Sequence, residues 1–194
     1  MKTLIKLVAL TTLTLSQAVS AGLICGPAQV VAFTNNAGCE IGSTNNDTLN
    51  PTQVNIDTMF GFNDWLFAQK DDELDGTEET SIDVGFTITG NTQSGSWAIN
   101  NIWSTWSEVM IVAKGGSSNN TDPGEYIGYL LVNGETSGQY TTPFINSNNG
   151  NAKQISHMSV YVRGSVTQVT EPASMFLLGL GLIGLAVARK RMTV

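Results

Sequence analysis

His157 is the only histidine in the chain, so any imidazole-based acid–base or nucleophilic chemistry must pass through it. A serine hydrolase of the elbow type would also need a Gly-x-Ser-x-Gly run, and the sequence has none. On an alternating strand His157 falls on the polar side, where it is expected to face solvent or bond a carboxylate. Glycoside hydrolysis needs two carboxylates roughly 5 to 9 Å apart, and any acidic protein can supply such a pair by chance. Sixteen Asp and Glu are present, but no spacing selects two of them. Asp71, Glu73 and Asp75, with Gly76 in sixth place, put oxygen ligands at alternate positions as a calcium loop does. The twelfth position is Ile82 instead of Glu, so the run is not an EF-hand. Its first reading is a solvated acidic loop. The sharper alternative is a weak Ca²⁺ site bridging the acidic surface to anionic polysaccharide. Two cysteines and one distant histidine are too few ligands for any other metal. No catalytic set emerges, no other cofactor is implied, and the chain reads as a non-enzyme.

Three aromatic residues, Trp97, Trp103 and Trp106, fall within ten positions of one another. Such residues more often fill a core than a binding face, but their rings can also stack on sugars. A carbohydrate-binding module working through these tryptophans is therefore the alternative function, with Trp103 and Trp106 the better exposed. A glycan hydrolase is a second, lesser one.

The side chains that could do this chemistry must be held by a β framework. Positions 81–89 alternate, with Ile82, Val84, Phe86 and Ile88 on one side and polar residues and Gly85 on the other, which predicts a half-buried strand. The apolar run 109–113 suits a central strand. A second run, 126–132, ends at Asn133-Gly134, a turn expected to start a hairpin into 138–142. Residues 156–163 alternate again, with Met158, Val160 and Val162 opposite His157, Ser159, Tyr161 and Arg163. Shorter strands are expected at 30–34, 65–69 and 94–99. Asn, Ser, Thr and Gly dominate the polar positions, and no long repeat is apparent. Seven or eight short strands predict an all-β fold, an antiparallel β-sandwich or jelly-roll-like domain over 22–168.

The net charge of −7 conceals a sharper asymmetry. Five of the nine basic residues lie at the two ends, leaving four against sixteen acidic groups between Gly22 and Glu171, a balance of −12. Such a surface repels phosphate backbones, so nucleic acid is excluded as a partner.

Both ends carry targeting patterns. Lys2 and Lys6 precede an apolar stretch, 7–15, and then a run of small residues to Ala21. This is a secretory signal peptide over 1–21, cleaved between Ala21 and Gly22. Export places Cys25 and Cys39, the only cysteines, in an oxidising compartment where they are expected to pair. A loop of about 15 residues closed this way is worth about 3 kcal/mol in the chain-entropy model. At the other end, 169–194, Val169, Thr170, Glu171, Pro172, Ala173 and Ser174 lead into an apolar run, and Arg189, Lys190 and Arg191 follow it. Pro172 suits a first helical turn, and the basic cluster favours the cytoplasmic side. A helix over 173–188 would be about 24 Å long, short of a hydrocarbon core of about 30 Å, so it reads as a marginal, temporary transmembrane span.

This tripartite tail resembles the PEP-CTERM sorting signal, with Thr170 in place of the first proline of the usual Val-Pro-Glu-Pro core. The resemblance implies recognition by an exosortase, cleavage near Glu171-Pro172, and delivery to the outer surface, often beside exopolysaccharide. The resulting expectation is an exported surface or matrix protein, held in the inner membrane as a precursor, with the export machinery, the exosortase and exopolysaccharide as partners. Local pieces also resemble uncharacterised ectodomains that precede such tails: Phe60-Gly61 with Asp64-Trp65 and Lys70, Lys114-Gly115-Gly116, and Ile155-Ser156-His157 with Tyr161. This second resemblance implies no known activity.

Overall fold

The computed structural model describes residues 23–44, 46–47, 53–116, 126–146 and 148–165. The export segment 1–21 with the Ala21–Gly22 junction, and the tail 169–194 with all its named residues, lie outside them. The described chain runs β1 (Leu23–Ile24), α1 (Pro27–Val30), β2 (Asn36–Ile41), α2 (Gln53–Ile56), β3 (Leu66–Asp72) and β4 (Thr77–Thr80). It continues with β5 (Thr87–Gly90), β6 (Ser94–Ala98), β7 (Trp106–Gly115), β8 (Tyr126–Leu131), β9 (Ser137–Thr141) and β10 (Ile155–Ser165). Every strand pairing among them is antiparallel. The fold is all-β.

One sheet has seven strands in the order β1-β2-β8-β7-β10-β3-β4, and a second has three, β5-β6-β9. The apolar run 109–113 lies in β7, the middle strand of the large sheet, where both faces are covered. Val109, Ile111 and Ala113 point to one core with Val160 and Val162 of β10, and there they meet Trp97 and Tyr140 of the small sheet. Met110 and Val112 point the other way, into a second core with Trp65, Tyr126 and Tyr161. The chain from α2 to Trp65 closes that second face: Val54, Met59 and Trp65 are buried against it.

Four local expectations are corrected. Residues 30–34 form no strand: Pro27 opens the turn of helix α1, and Asn36–Ile41 is the strand instead. The turn at Asn133-Gly134 exists, with Gly134 at φ +92°, but 137–141 does not pair back onto β8. It crosses to the small sheet and pairs with β6, so the expected hairpin is an inter-sheet connection. In 81–89 only the end is a strand, although burial alternates as expected, with Val84 and Phe86 inside. The Val84 and Phe86 amides both donate to Gln69 Oε1, at 2.8 and 2.9 Å, so one side chain takes the place of a neighbouring strand. Trp97 is 1 % exposed and belongs to the core between the sheets, so it offers no face to a sugar.

The edge at β2 is managed rather than left open. Two residues of β1 pair with Glu40 and Ile41, and Cys25 is bonded to Cys39, with Cα atoms 5.8 Å apart. Asn36 Nδ2 donates to Val30 O at 3.0 Å, which brings the end of α1 against the rest of that edge.

Candidate functional site

The densest polar arrangement lies on the second face of the large sheet. There three aspartates from the preceding chain reach side chains on the strands. Asp47 is 1 % exposed; its Oδ1 accepts from His157 Nε2 at 2.8 Å and its Oδ2 from the Tyr161 hydroxyl at 3.0 Å. Asp57 accepts from the Tyr126 hydroxyl, from Ser43 Oγ at 2.6 Å and from Gln53 Nε2 at 2.8 Å. Asp64 holds Arg163 through both carboxylate oxygens, at 2.7 and 3.2 Å, and the guanidinium lies 3.5 Å over the Phe62 ring. Asn55 completes the fastening by accepting from the Trp65 amide at 2.7 Å and donating to its carbonyl at 2.9 Å.

Electrostatics follow from these contacts. Burial alone would raise the Asp47 carboxyl, but the bonds and charge of His157, with the Ser159 and Tyr161 dipoles, outweigh it and hold the group below the ordinary aspartate value. Asp57 follows the same pattern: burial raises it, and Ser43, Tyr126 and Gln53 more than reverse that. Asp64, half-exposed, is lowered by its bond to Arg163. The Tyr126 and Tyr161 hydroxyls are pushed up, first by burial and then by Asp57 and Asp47 respectively, so they act as fixed donors.

This arrangement places His157 differently from a solvent-facing residue. It is 7 % exposed and sits between Asp47 and the Asp72 carboxylate, whose Oδ1 is 3.9 Å from its Nδ1. Ser159, on the same side of β10, is fully buried, and its hydroxyl dipole helps to lower the Asp47 carboxyl. The Asp47–His157 pair thus links the preceding chain to the sheet.

The other candidate residues are dispersed. Asp71, Glu73 and Asp75 flank the β3–β4 turn, where Asp71 is buried and its Oδ1 accepts from the Gly76 amide at 3.2 Å. Among the described residues no three His, Cys, Asp or Glu side chains converge to hold a metal. The loop sequence is used for a tight turn, with Glu73 and Leu74 both at positive φ. Trp103 and Trp106 are half-buried against the first core, and Trp103 Nε1 donates to Glu135 O at 2.8 Å. Trp97 lies within that core, and Trp103 and Trp106 pack at its margin. Nothing in the sequence singles out Asp47 or Asp57, and Asp64 enters there only within the Asp64-Trp65 fragment.

The described chain ends at Ser165 of β10, and just beyond it the PEP-CTERM protein-sorting motif matches residues 168–191. The chain carries this motif, which marks an exported protein sorted by an exosortase. No curated protein and no solved structure is significantly similar to the chain. Among the described residues no helix is long and apolar enough to cross a membrane.

Proposed function

We propose that the protein is a non-catalytic surface or matrix component: an all-β domain exported behind a signal peptide, held in the inner membrane by 173–188, trimmed near Glu171-Pro172, and passed to the exopolysaccharide layer. The observation that carries this reading is the position of the motif. Strand β10 is flanked on both sides by β7 and β3 and is described to Ser165, while the motif begins at 168. A cut near Glu171 would therefore remove the anchor and leave every described hydrogen bond in place. The fastened second face supports a passive role, because its histidine and its aspartates are engaged in holding chain to sheet. The acidic balance of −12 favours solubility and mutual repulsion once the domain is released.

Fractionation tests this. With the exosortase present, the chain is expected at the cell surface or in the medium. Without it, or with Pro172→Ala, the chain is expected to accumulate in the inner-membrane fraction at greater length. Identical distribution in all three cases would remove the proposal.

A further inference from the structure

The strand register shows which end of the domain meets the tail. Ser165, the last residue of β10, pairs with Trp106, and Arg163 and Val162 pair with Glu108 and Val109. On the other side of β10, Val162 pairs with Leu66, which is exposed. Across β7, Met110 pairs with Leu130, so Val132 falls level with Glu108 at the same end, and it too is exposed. Asn36, opposite Leu131, holds the carbonyl of Val30, which places Val31 there as well, 76 % exposed. With half-buried Trp103 and Trp106, five apolar side chains gather around the point where the chain leaves the sheet.

The charge at this end is sparse and mostly spent. Arg163 is committed to Asp64, while Lys70 and Lys114 stand further along the sheet, opposite Ser159 and His157. What remains is Glu108 and Glu135. Nothing here attracts an anionic surface, whereas tryptophans with one wet edge are the residues favoured at the headgroup level of a bilayer. Seven residues, 166–172, separate Ser165 from the apolar run 173–188. Fully extended, they reach no more than about 28 Å. If 173–188 lies in the membrane, this end of the domain is the one tied closest to it.

We infer that in the precursor the Trp103–Trp106 end of the domain rests on the zwitterionic lipid surface of the membrane that holds the tail, and that trimming releases it. This rests on the proposal that 173–188 anchors the chain. Docking of this kind would shorten the effective tether and present residues 166–172 at the bilayer surface, where a membrane-embedded protease acts.

The test uses the full chain inserted in phosphatidylcholine vesicles, with plain and dibrominated lipid compared by tryptophan emission. The apolar run holds no tryptophan, and Trp65 and Trp97 are each 1 % exposed, so lipid quenching reports on Trp103 and Trp106. Emission is expected to fall in brominated vesicles, and the fall to disappear in W103F/W106F. Because Trp103→Phe also removes the bond to Glu135, W106F alone, which keeps it, must lose part of the quenching. If the chain floats with the vesicles but brominated lipid does not quench it, the docking is overturned while the anchor stands. If the chain fails to float, the anchor and the docking fall together.

Discussion

Replacing Asp47 with alanine is expected to lower the stability of the domain by about 3 kcal/mol, the largest single loss among the polar substitutions considered. The carboxylate is 1 % exposed and satisfies two buried donors at once, His157 Nε2 and the Tyr161 hydroxyl. Truncation leaves His157 Nε2 without its carboxylate and the Tyr161 hydroxyl with only the carbonyl of residue 47, at 3.1 Å, in a face packed with Trp65, Tyr126 and Met110. For a domain of this size the melting temperature should drop by roughly 10 °C. The pH dependence gives a second readout. A carboxyl whose folded pKa lies below its unfolded value contributes fully above the ordinary aspartate range, about 3.9, and the contribution is lost as pH falls towards the folded value. Wild type should therefore lose stability on acidification through that window, and Asp47→Ala should lose less. A melting temperature within a degree or two of wild type at pH 7 would show that Asp47 does not hold the chain to the sheet.

The second large effect concerns the edge at β2. Cys39→Ser should cost about 3 kcal/mol, because the bond to Cys25 closes a loop with a sequence separation of 14 and restricts the unfolded chain. Losing it also frees β1 and α1 from the edge they cover, exposing the unpaired side of β2 to edge-to-edge association. Reduced wild type should melt like Cys39→Ser, and both should aggregate more readily than the oxidised protein. Unchanged melting on reduction would contradict a stabilising bond. The bond also fits export, since it forms only where thiols are oxidised.

Particular residues show how much of this could be read beforehand. The run 109–113 announced a central strand because a strand covered on both faces has no polar alternation to show. The motif at 168–191 was legible because its information is local: an acidic-proline pair, an apolar run and a basic stop. The partner of 137–141 was not legible. Asn133-Gly134 dictates that the chain turns, but a turn does not specify which sheet receives the next strand. Residues 30–34 misled because a short apolar run suits a strand and a buried turn equally; the signal that could have decided it was Pro27, a preferred first helical residue. His157 was legible in part: it bonds a carboxylate, one of its two expected environments, but it is buried rather than facing solvent. Period-two alternation assigned its face to water, yet that face is covered by chain from 110 positions earlier. No local pattern encodes that cover. A hint existed in the fragments around Asp64-Trp65 and Tyr161, read separately in the sequence. In the structure Asp64 grips Arg163, and Trp65 and Tyr161 share one core.

The β domain carries the sorting motif of an exported exosortase substrate. Intact mass of the mature protein, from cells with and without the exosortase, tests processing at that motif most directly. A C-terminus near Glu171-Pro172 is expected when the enzyme is present, and an intact tail through Val194 when it is absent. The same C-terminus in both, whether trimmed or intact, would contradict such processing.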